Sequence, residues 1–144
     1  MTSRAIPIIR LQEFLIVSVQ TELSDELVHL LKDDIAAEIA RLGPSGLVLE
    51  LSGIDVFDSY IAASVRDLAQ LARLMGVRTV VAGLDPGMAI TLVEMGMSMA
   101  GVETALNLDS ALEVLQAAVV RRKAFERDLM SLMLGDAAGT EGSA

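Results

Sequence analysis

The sequence contains no cysteine, one histidine, three prolines and 3% aromatic residues in 144 positions. The missing cysteines rule out disulfides, thiolate nucleophiles, Fe–S clusters and cysteine zinc sites, and they fit a reducing compartment. A single histidine leaves little for imidazole-based metal binding. Basic side chains are also scarce: 11 Lys and Arg against 20 Asp and Glu give a net charge of −9. Residues 1–120 hold 7 basic and 16 acidic side chains, whereas residues 121–144 hold 4 of each, so the body carries the whole excess. A body this acidic repels phosphate backbones and anionic bilayers, which argues against nucleic-acid and membrane partners and leaves basic proteins open. Long apolar runs are missing too. The most apolar stretch, Met88 to Val102, is interrupted by Glu94 and falls short of a membrane span. Arg4, Pro7, Arg10 and Glu13 break any signal-like start, so the cytoplasm is the expected location.

What is present is aliphatic: 53% apolar residues against 22% charged, enough for one domain with a substantial core. Short β-rich runs alternate with longer helical periods, which predicts an α/β fold. Ile8 to Leu11 and Phe14 to Val19 read as a hairpin, and a helix capped by Ser24 or Asp25 carries Leu27, Leu31, Ile35, Ile39 and Leu42 on its apolar stripe. Gly46 to Leu51 reads as a central strand. A second helix places Ile61, Val65, Leu68, Ala72 and Met75 on one face and stops at Gly76. Thr79 to Ala82 is the next strand, Pro86 begins a helix running to about Met95, Thr104 to Leu108 is an edge strand, and Asp109 is expected to cap the last helix. The order β-β-α-β-α-β-α-β-α predicts a mixed, mostly parallel sheet with helices packed against it, since right-handed crossovers require parallel strands.

Catalytic constellations are thin. His29 is turned away from the apolar stripe of its helix and reads as a solvated surface residue. The G-x-S-x-G elbow, the H-E-x-x-H pair and the P-loop pattern are missing, and no metal or cofactor is expected. Asp55 and Asp58 stand close together after a central strand. They could work as acid and base or bind Mg²⁺, or they could be a loop acid and a helix cap. Ser59, in Asp55-Val56-Phe57-Asp58-Ser59-Tyr60, could cap the following helix or accept a phosphoryl group, adding about −1.5 to −2 charges at a helix start.

The segment LVLELSGIDVFDSYIA followed by GVRTVVAGLDPGMAITLVEMGM resembles the anti-anti-sigma (STAS) family, over about residues 6 to 120. Asp58-Ser59-Tyr60-Ile61 lacks the second serine and glycine of the commoner D-S-S-G form and is similar to the D-S-aromatic-I form of the stressosome scaffold antagonists. The resemblance implies a single STAS-like domain in residues 1–120 that turns over no substrate. It would assemble into a large homo- and hetero-oligomer with sensor co-antagonists bearing a related STAS domain. It would also hold a serine switch kinase until Ser59 is phosphorylated, with Asp55, Asp58 and Tyr60 joining Ser59 in partner binding. A small nucleotide- or phosphate-binding enzyme using Asp55, Asp58 and Ser59 is the alternative reading, and a purely structural unit in which Ser59 only caps a helix is a third.

Two further features stand out, the second of which departs from the family pattern. Met88, Met95, Met97 and Met99 surround the third crossover helix, as flexible core filling or as a partner groove. In residues 121–144 the body stripe of Leu112, Leu115 and Val119 runs into Arg122, Lys123 and Glu126, and a new apolar stripe begins with Phe125, Leu129, Leu132 and Met133. That extension is expected to be partly helical, resting on its own domain or on a neighbouring subunit, with a disordered end at GDAAGTEGSA. Arg121, Arg122, Lys123 and Arg127 are diluted by Glu126 and Asp128, so the extension is not expected to be a membrane anchor.

Overall fold

A computed structural model describes residues 6–94 and 102–142, with side chains as far as Gly135. The elements run β1 Ile8–Leu11, β2 Phe14–Ser18, α1 Asp25–Leu42, β3 Gly46–Glu50, α2 Ser59–Leu74, β4 Arg78–Ala82, α3 Pro86–Glu94, β5 Glu103–Ala105 and α4 Leu108–Gly142. Among these residues the chain forms one five-stranded sheet in the order β1-β2-β3-β4-β5. β1 and β2 are an antiparallel hairpin, and every later pair is parallel. This is the mixed, mostly parallel α/β sheet that the alternation of strands and helices predicts, with β3 at its centre.

Although the strands read as continuous apolar runs, their side chains alternate between two cores. Leu15, Val17, Leu47, Leu49 and Val81 point to one face, where they meet Val28, Leu31 and Ile35 of α1, Ile61, Val65 and Leu68 of α2, and Met88 of α3. Phe14, Ile16, Val48, Val80 and Ala82 point to the other, under Ala111, Leu115 and Val119 of α4. Burying each large aliphatic side chain contributes about 1.5–3 kcal/mol, and this two-sided burial is what makes the central strands apolar throughout. Gly46 lets α4 approach closely: a Cβ there would stand 2.7 Å from Leu115 Cδ2.

Several local expectations are corrected. Asn107, not Asp109, caps α4: its Oδ1 accepts from Ser110 N at 2.9 Å, which leaves Asp109 inside the first turn. β5 ends at Ala105 because the chain must turn into that cap. Met75 is partly exposed, since it is the cap residue beyond the last full turn of α2. Leu27 and Leu42 are half-buried, while Val28 and Glu38 join the buried face of α1, with Arg41 bonded to Glu38 at 2.7 Å. Met88 is core; Met95, Met97 and Met99 lie outside the described residues. α4 continues to Gly142 through the small-residue end that its composition marks as unfolded. No described helix is long and apolar enough to cross a membrane.

Candidate functional site

The loop between β3 and α2 is pinned by apolar residues three or four apart. Leu51 and Ile54 are buried, Phe57 packs half-buried against the core, and Ile61 closes the series on α2. Ile54 N donates to Leu51 O at 3.1 Å, tightening the turn between the first two anchors. Spacing the anchors this way turns the residues between them outward, so Asp55, Val56, Asp58, Ser59 and Tyr60 are all exposed.

Within that outward set the roles divide. Asp58 is the cap of α2: its backbone is extended, Oδ1 accepts from Ile61 N at 2.9 Å, and its carbonyl accepts from Ala62 N at 3.0 Å. Ser59 is the first helical residue, and its hydroxyl has no hydrogen-bond partner among the described residues. The capping reading of Ser59 is therefore corrected, because the residue before it already occupies that role. The result is a hydroxyl standing free at a helix N-terminus, where the unsatisfied amides and the helix dipole favour added negative charge.

Tyr60 ties this helix start to the start of α1. Its pKa is raised from 10.0, chiefly by hydrogen bonding to Asp25, with desolvation and the charges of Asp25 and Asp58 adding and Ser64 opposing. Ser64 in turn donates to Tyr60 O at 2.8 Å. Ser24 caps α1, accepting from Leu27 N at 3.2 Å, and Asp85 caps α3, accepting from Met88 N at 2.8 Å. The caps of α1, α2 and α3 thus share the edge of the sheet formed by the carboxyl ends of β2, β3 and β4. Sequence reading missed Asp85 as a member of this edge, although Pro86 at the first helical position was the available signal. His29 is exposed on α1, as its position off the apolar stripe predicts.

Charge at this edge is of one sign. The segments 19–27, 50–60, 82–89 and 105–110 carry Glu22, Asp25, Glu26, Glu50, Asp55, Asp58, Asp85 and Asp109, and no lysine or arginine. Asp55 and Asp58 belong to the same loop, but the Asp58 carboxylate is committed to capping. No group of three or more His, Asp or Glu side chains among the described residues is arranged to hold a metal ion. A separate groove on the α4 side, lined by Ile9, Ile16, Ser18, Glu50, Gly83 and Leu106 among others, opens near the same edge. Its walls are mostly apolar, and the Glu50 carboxylate in it accepts from Ser52 N at 3.0 Å.

Comparison with known proteins agrees with this geometry. A variant of RsbS from Moorella thermoacetica superimposes with a TM-score of 0.70 at 31% identity, covering 80% of this chain and 97% of that one. A chain from the molecular architecture of the stressosome, a signal integration and transduction hub, gives a TM-score of 0.71 at 33% identity, covering 78% of this chain and 98% of that one. The RsbT co-antagonist protein RsbRD of Bacillus subtilis (strain 168) is 25% identical over 91 residues, 63% of this chain but 33% of RsbRD. This chain therefore spans about a third of the length of that relative. The STAS domain family matches residues 5–111, which include the hairpin, the three crossovers and the Asp58-Ser59 helix start, and the chain belongs to that family.

Proposed function

We propose that this chain is a stressosome scaffold and antagonist of stress signalling. In this reading residues 1–120 bind proteins and turn over no substrate, and residues 121–144 are an appended extension. The cytoplasm is the proposed setting. A serine switch kinase docks at the acidic edge around Asp55, Asp58, Ser59 and Tyr60 and is released when Ser59 is phosphorylated. Sensor co-antagonists with a related STAS domain join it in a large assembly. The similarity to RsbS and to a stressosome chain supports this reading, as does the similarity to RsbRD over one third of that longer protein.

The observation that carries the proposal is the division of labour between neighbours. Asp58 holds the helix start, so the free Ser59 hydroxyl can change without unravelling α2. A phosphate there adds about −1.5 to −2 charges. The amides of α2 accommodate it, while the surrounding carboxylates make the edge still more negative. A partner bound by shape and by apolar contacts such as Val56 then meets a changed surface on an unchanged fold.

Incubation with the switch kinase and ATP should add one phosphoryl group, mapped to Ser59 by intact mass and peptide sequencing; modification only elsewhere would refute the assignment. Ser59→Ala should keep the fold and capture the kinase, and Ser59→Asp should weaken capture about tenfold or more in a salt-matched titration. Equal affinities would remove the electrostatic switch. Mg²⁺-dependent turnover by the purified chain, lost in Asp58→Asn, would replace the scaffold reading with the enzymatic one.

A further inference from the structure

Past the body, α4 carries a large apolar surface that no described residue covers. α4 crosses the sheet over Gly46 and passes its edge where Arg122 Nη2 reaches Ser45 Oγ at 3.5 Å. Beyond that point the helix continues to Gly142, roughly 30 Å at about 1.5 Å per residue. Phe125, Leu129, Leu132 and Met133 fall within about 100° of its surface, the width of one packing seam, and Met130 and Leu134 extend the arc to one side. All are exposed, Phe125 at 66% and Leu132 at 65%. A projecting helix of this length is marginal in water without a packed face.

The sequence of the extension indicates what covers it. Residues 121–127 carry four basic side chains and one acidic, while residues 128–144 carry three acidic and no basic. Two parallel copies would lay like charge on like charge along their whole length. Two antiparallel copies crossing at Leu129 instead set residues 121–127 of each, net +3, opposite residues 131–137 of the other, net −1, and oppose the two helix dipoles. The apolar seam has the same symmetry: Phe125 and Met133 lie four residues to either side of Leu129, so a crossing at Leu129 sets each Phe125 against a Met133, a favourable sulfur–aromatic pairing.

We propose that α4 is a homotypic docking element, in which residues 121–137 of two copies of this chain pack antiparallel and cross at Leu129. Ser59 and the acidic edge take no part in this contact, so it stands apart from the phosphorylation switch.

The absence of cysteine gives a clean test in the full-length chain. Under mild oxidation, Leu129→Cys should form a disulfide-linked dimer. Mixed Phe125→Cys and Met133→Cys chains should link to each other at several times the rate of either alone, because two copies of position 125 would be about 12 Å apart along the axis, beyond the Cα separation a disulfide tolerates. Faster linking of Phe125→Cys with itself than with Met133→Cys would overturn the antiparallel arrangement. No combination linking faster than an Arg73→Cys control on α2 would overturn the homotypic contact altogether.

Discussion

The two edges of the sheet differ in charge, and the difference follows from local chemistry multiplied by topology. At the carboxyl edge sit the N-termini of the helices, with Asp25 and Glu26 opening α1, Asp58 capping α2, Asp85 capping α3 and Asp109 in the first turn of α4. At the opposite edge Arg41 and Arg73 lie in the last turns of α1 and α2, beside Arg10, Arg78, Arg121, Arg122 and Lys123. The acids in the first turns and caps, and Arg41 and Arg73 in the last turns, are small helix-dipole preferences of about 0.3–1 kcal/mol each. Arg10 and Arg78 on strands and Arg121, Arg122 and Lys123 inside α4 add to the basic edge without that cause. In a parallel α/β arrangement every crossover helix points the same way, so those preferences add up to a polar molecule. An acidic edge thus needs no dedicated set of residues; it emerges where helix starts are gathered.

If the edges divide in function as in charge, damage to the α4 packing should cost stability and leave Ser59 chemistry alone. Leu115→Ala should lose about 2–5 kcal/mol in urea unfolding, by removing the side chain that fills the space over Gly46. Phosphorylation of Ser59 should be unchanged wherever the variant is still folded. Gly46→Ala should cost about 1–3 kcal/mol by overpacking against Leu115. Combined with Leu115→Ala it should cost clearly less than the two separate losses added together, because the new methyl occupies vacated space.

At the carboxyl edge the stability effects should be smaller. Asp58→Ala should cost about 1 kcal/mol, Asp58→Asn a few tenths, and Ser59→Ala within about 0.5 kcal/mol. A Ser59→Ala loss as large as that of Asp58→Ala would return the capping role to Ser59 and break the division proposed here.

The smallest effect is optical. The chain has one tyrosine and no tryptophan, so absorbance follows Tyr60 alone. Its titration midpoint should lie above 10.0 and move back toward it in Asp25→Asn, where the first cause of the shift is removed. The sign for stability follows. A group whose pKa is raised by folding stabilises the fold fully below 10.0, and that contribution is lost as the pH climbs through the folded value. Tyr60→Phe should therefore flatten the stability profile only at the alkaline end.

Much of this architecture was legible in the residues. The helix stops at Gly43 and Gly76 were readable because both adopt positive φ, 56° and 82°, which glycine takes without strain. The parallel sense of the later strands followed from the crossover rule, and the exposed His29 from helical phase. The failures share one cause: several residues in a short stretch could each do the same job. Asp58 and Ser59 are both good caps, as are Asn107 and Asp109, and the choice between them depends on where buried anchors such as Ile54 and Phe57 fix the chain. Glu38 was hidden for a related reason, since the helical stripe marks apolar positions and cannot show that a carboxylate lies under Arg41.

One consequence of the unbroken α4 concerns how signals from several copies would combine. The helix begins at the acidic edge and runs out past the basic one. From Leu108 to Leu129 it measures roughly 32 Å, so an antiparallel pair crossing at Leu129 would hold its two Ser59 edges about twice that distance apart along the axis. Electrostatic influence fades over about 8 Å at physiological ionic strength. Each phosphoserine would be invisible to the other's field, and the pair would count phosphorylation events one at a time, giving a graded output in place of a cooperative one.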